Sequence, residues 1–60
     1  MIHTRATPAQ LRARANTLER RAIENAHAGL NHVSRTQRAQ AQTLRQLARE
    51  AVEFHQRYAA

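Results

Sequence analysis

Sixty residues with ten Arg, no Lys, four Glu and no Asp carry a formal net charge of +6 and are too few for more than one small domain. The absence of Cys excludes disulfides and thiolate metal sites. No run approaches the ~18 apolar residues of a membrane span, and no apolar h-region marks a secretory signal, so cytoplasmic residence is the default expectation.

The hydrophobic fraction of 42% overstates the core, because 13 of those residues are Ala. The larger apolar set, at about 25 cal/mol per Å² buried, roughly cancels the ordering cost of so short a chain. The expected remedy is association, either as a homo-oligomer or by docking onto a larger protein.

Residues 1–6 precede the first helix signal and are expected to be flexible. The first 18 residues bear Arg and no acid, as a mitochondrial presequence does, but the helical pattern runs past any plausible cleavage point. Thr7, Pro8 and Gln10 form a helix start: Thr7 as N-cap, Pro8 at the first helical position and Gln10 closing a capping box. Nothing in residues 8–28 breaks a helix. Gly29 then suits the left-handed position after a helix end, with Leu30 beyond it. Asn31 and His32 continue a turn, and Ser34 with Gln37 repeats the capping-box spacing. Residues 34–59 are rich in Ala, Leu, Arg, Gln and Glu, without Gly or Pro.

The predicted fold class is therefore all-α: an αα-hairpin with helices over about 8–28 and 34–59, pairing into a helical bundle. The rival is one long continuous helix in a coiled coil, because the apolar register carries through Gly29 at a cost of only ~1 kcal/mol. Two capping boxes with a Gly between them favour the hairpin.

Each helix has a one-sided apolar stripe. The first carries Leu11, Ala15, Leu18, Ala22 and Ala26. The second carries Leu44, Leu47, Ala51, Phe54 and Tyr58, and extends backward through Gln40, Gln37, Val33 and Leu30. The small residues of the first admit a close neighbour, and Leu44, Leu47 and Phe54 are expected to fill the facing holes. Antiparallel folding sets Leu18 near Leu44, Leu11 near Ala51 and Arg12 near Glu50. Seam amides such as Gln37 need partners, and so can set register.

A GC-rich coding sequence replaces Lys by Arg with no bearing on binding, so the informative feature is the excess of Arg over Glu. Residues 25–49 hold four Arg and no acid. Arg38, Arg45 and Arg49 share one helical stripe with Gln42, and Arg35 lies at its edge. Guanidinium forks match phosphate oxygens, and Gln offers contacts to sugars or base edges. Exposed pairs of Arg20 and Arg21 with Glu24, and of Glu53 with Arg49 and Arg57, are worth a few tenths of a kcal/mol each. Arg12 and Arg45 are counted among the free cations. Phe54 and Tyr58 belong to the seam, which leaves no aromatic platform for unpaired bases. The expected partner is therefore duplex DNA or folded RNA. The alternative is a protein-interaction module, such as a small phage or plasmid accessory protein or a minor subunit of an assembly, docking through its Ala/Leu seams.

His27 and His32 flank the turn without a nearby carboxylate, so no metal or other cofactor is expected. No nucleophile–base pair or phosphate loop is present, and two helices cannot wall off a pocket, so neither catalysis nor a small-molecule substrate is expected.

Overall fold

The structure, a computed structural model, describes residues 6–58 and all of their side chains but those of His55 and Tyr58. The expectations for residues 1–6, apart from Ala6, and for the Tyr58 side chain fall outside the described residues. Two helices run antiparallel as an αα-hairpin: α1 over Pro8–His27 and α2 over Asn31–Tyr58.

Local chemistry sets the boundaries of α1. The Gln10 N–H donates to Thr7 Oγ1 at 3.1 Å and the Thr7 N–H donates to Gln10 Oε1 at 2.9 Å, completing the capping box. At the other end the Gly29 N–H donates to the Ala26 carbonyl (3.1 Å) and the Leu30 N–H to that of Asn25 (2.7 Å). This is a Schellman turn, and it needs Gly29 at φ 83°. The chain reverses there, which rules out the continuous helix. A Cβ at Gly29 would meet nothing within 4 Å, so Gly29→Ala acts through backbone conformation alone. It is expected to lower stability by about 1–2 kcal/mol in a thermal melt followed by circular dichroism. A higher melting temperature with a longer particle would restore the continuous helix.

The second helix begins earlier than the capping pattern predicts. The Ser34 N–H already donates to the Leu30 carbonyl at 3.0 Å, so α2 is running from Asn31 and Ser34 is not its N-cap. The Schellman turn delivers Leu30 directly into the next helix, leaving no room for three more turn residues. Ser34 instead lies inside α2, 4% exposed.

That position reveals the true seam. The buried residues are Ala15 and Ala22 on α1, and Ser34, Ala41 and Ala48 on α2, each set at a seven-residue spacing. Among the described residues no large side chain is fully buried. Half-buried Leu11, Leu18, Leu44 and Ala51 flank the seam. Asn25 Nδ2 donates to Gln37 Oε1 at 2.8 Å and fixes the register. Counting along both helices from that pair sets Leu18 across from Leu44 and Leu11 from Ala51, and brings Ala22 and Ala15 within one residue of the positions across from Ala41 and Ala48. Leu18 and Leu44 do line a common groove.

Leu47 and Phe54 do not fill holes on α1. They are 46% and 59% exposed, as Val33 is exposed. Small side chains at a contact let two helices come closer, and the Ala/Ser heptads on both sides offer that option. The closest approach is therefore through methyl groups, and the stripe of large residues is rotated out to one side.

Candidate nucleic-acid interface

Each helix has a flank on either side of its small seam, and in an antiparallel hairpin like flanks share a face. On one face α1 contributes Arg12, Asn16, Glu19 and Ile23, and α2 contributes Arg38, Gln42, Arg45 and Arg49. Two grooves trace it. One is lined by Arg12, Arg45, Arg49, Val52 and Glu53. The other is lined by Glu19, Ile23, Arg38 and Gln42. The opposite face carries Leu18, Leu44 and Gln40 with the rims of Arg14, Arg21, Thr36 and Thr43. The molecule is thus a slab, 48 × 25 × 14 Å in extent, with unlike sides.

The predicted stripe of Arg38, Gln42, Arg45 and Arg49 lies on the first face, and Arg12 joins it from α1. Arg38, Gln42, Arg49 and Arg12 are exposed. Arg35 is exposed too, but lines neither of these grooves and sits on the outer side of α2. Arg49 Nη2 donates to Gln46 Oε1 at 3.3 Å, within its own helix. Arg12 meets Arg49 and Glu53 at one groove, one turn from the Glu50 expected beside it.

Arg45 departs from expectation. It is not a free, fully solvated cation: its guanidinium forms an ion pair with Glu19 on the other helix and donates to Asn16 Oδ1 at 3.0 Å. Its side chain retains only 35% exposure. The Arg45 hydrogen bond holds the Glu19 carboxyl below its ordinary value, against an opposing contribution from partial burial, and the nearby charges of Arg45 and Arg38 act in the same direction as the bond. The same bond raises the Arg45 guanidinium. Arg45 is therefore a clamp between the helices as well as a charge on the face.

Glu19 and Asn16 are the residues that a reading of one helix at a time misses. The acid-free stretch from 25 to 49 is acid-free in sequence, but Glu19 reaches it across the hairpin. The Leu18–Leu44 register contains the signal, since one residue further along each helix are Glu19 and Arg45, on the same side. Among the described residues Arg45–Glu19 is the ion pair, and the intrahelical pairs expected for Glu24 and Glu53 are not made. Exposed pairs gain little over hydration, so their absence costs little.

Among the described residues no three His or Glu side chains form a group able to hold a metal ion, and no helix is long and apolar enough to cross a membrane. Comparison with family models, curated proteins and solved structures gives no match to this chain.

Proposed function

We propose that this protein is a non-enzymatic nucleic-acid binder that holds the phosphates of duplex DNA or folded RNA against its basic face. Arg12, Arg38 and Arg49 are the phosphate contacts, Gln42 sits among them, and Arg35 adds to the field from the side. The observation that carries this reading is the convergence of Arg12 from α1 with Arg38, Arg45 and Arg49 from α2 along the grooves of one face. Arg38 and Arg49 are eleven residues apart, about 16 Å along α2. That distance corresponds to about five base pairs of rise, so both can reach phosphates of one backbone. Arg12 widens the footprint to the second helix.

Arg45 has a different role in this reading from that of its neighbours. With its charge matched by Glu19, it supports the face and contributes little net field to it. The test is a fluorescence titration of a duplex with the wild type and with Arg38→Gln/Arg49→Gln. Both side chains are exposed and outside the small seam, so the fold should persist in circular dichroism. Binding should weaken and its salt slope should become shallower by about two units. Unchanged binding by the folded double variant would remove the proposal. A second reading, docking onto a larger protein, draws on the exposure of Leu47 and Phe54. Retained function in that double variant, lost on Leu47→Glu, would favour it.

A further inference from the structure

The hairpin leaves its own best hydrophobic surface uncovered. Along α2, Val33, Gln37, Gln40, Leu44, Leu47, Ala51 and Phe54 recur at alternating three- and four-residue steps, the spacing of a coiled-coil seam, and Val33, Gln40, Leu47 and Phe54 on its outer edge are exposed. Ser34, Ala41 and Ala48 are buried against α1 and half-buried Gln37, Leu44 and Ala51 border them, so the outer edge of this second seam is turned away from α1. The accessible surface is 5205 Å². A compact chain of this mass exposes only about 4,000 Å², leaving an excess of about 1,200 Å². A standard stable interface removes about 800 Å² from each partner, so the excess is on the scale that one docking event covers.

The geometry points to a second copy of this chain as the occupant, packed antiparallel through α2 to give a four-helix bundle. The size gradient along the seam is the reason. Val33 and Gln40 lie toward the turn, while Leu47 and Phe54 lie toward the far end. A two-fold axis near Thr43 sets Phe54 of one copy over Val33 of the other, and Leu47 over Gln40. Each large residue then meets a smaller or more pliant one. A parallel copy would set Phe54 on Phe54 and Val33 on Val33, overfilling one end and underfilling the other. Along the rim of α2 the antiparallel pairing brings Thr36 near Glu50 and Thr43 near its own counterpart, so like charges of α2 do not meet there, and Arg14 and Arg21 of α1 stand at the edge of the same face. Leu11 and Leu18 on α1 border the same face and extend the buried surface. The basic faces stay outside, on opposite sides of the bundle, so this assembly is compatible with the proposed binding and does not depend on it.

The test is sedimentation equilibrium of the full chain together with cysteine cross-linking, which the Cys-free sequence makes clean. The wild type is expected to sediment as a dimer at micromolar concentration, with a melting temperature that rises with concentration. Leu47→Glu should raise the dimer dissociation constant about a hundredfold or more, because a carboxylate would enter the seam. Since that variant can also lose its fold on becoming a monomer, orientation is read separately. Gln40→Cys chains mixed with Leu47→Cys chains should oxidise to the mixed disulfide in preference to either self-pair. A wild type that remains a cooperatively folded monomer at hundreds of micromolar would overturn the proposal. Preferential Leu47→Cys self-pairing would overturn the antiparallel arrangement. Loss of duplex binding with the dimer intact would count against the basic face alone.

Discussion

Ala41→Leu is expected to destabilise the hairpin by about 1–3 kcal/mol, the usual cost of forcing a larger side chain into a closed contact. Ala41 is fully buried, within one residue of the position across from Ala22. Leu and Ala differ little in helix propensity, so the loss would not come from α2 itself. The space for a Leu does not exist at that point without moving the helices apart. Separation would also strain the Asn25–Gln37 and Arg45–Glu19 contacts that cross the seam. Among the described residues the completely or nearly buried side chains are four Ala and one Ser, so a loss of this size is a large fraction of what the hairpin has. A drop in melting temperature by circular dichroism, with Ala48→Leu behaving alike, is the predicted result. An unchanged or raised melting temperature would mean that the helices sit further apart and that the large residues form the seam.

Glu19→Gln is expected to move stability and binding in opposite directions. Gln keeps an oxygen that can accept the Arg45 hydrogen bond but removes the charge. The face then gains one uncancelled positive charge in place. Duplex binding should tighten, and its salt slope should steepen by about one unit. The fold should lose stability at neutral pH, because the carboxylate no longer compensates Arg45 and Arg38. The pH dependence follows the same pair. The Glu19 carboxyl is held below its ordinary value of 4.5 in the folded state. Its stabilisation is therefore fully present above that ordinary value and fades as the pH falls through the lower folded value. Wild type and Glu19→Gln should converge in stability at strongly acidic pH. A variant that binds less tightly than wild type would show that Glu19 itself meets the partner, and would refute its role as a masking charge.

Helix existence and the first boundary were legible because they rest on local chemistry. Thr7, Pro8 and Gln10 act within one turn of chain, and Gly29 adopts the backbone conformation that its position after the helix end demanded. The start of α2 was misread because Ser34 fits two roles equally well in sequence, a cap or a small seam residue. The choice depends on α1, which lies beyond any local pattern. The large-residue stripe of α2 has coiled-coil spacing, but of its members Leu44 and Ala51 lie half-buried beside α1 while Leu47 and Phe54 are exposed. Hydrophobic size points toward Leu44, Leu47 and Phe54, whereas close approach within the hairpin selects Ala41 and Ala48. Helices with two apolar edges cannot be oriented by periodicity alone. The basic stripe was legible on α2. Its partial neutralisation was not, since Glu19 and Arg45 are 26 positions apart and meet only through tertiary register.

The basic face is tested most directly by the salt dependence of duplex binding. Three arginines outside the Arg45–Glu19 ion pair, Arg12, Arg38 and Arg49, predict a slope of log K against log salt of about −3, and roughly fortyfold weaker binding at 200 mM than at 50 mM salt. The Arg38→Gln/Arg49→Gln variant should retain a slope of about −1. A wild type with no measurable duplex or structured-RNA affinity at low salt, or with an affinity indifferent to salt, would contradict the account.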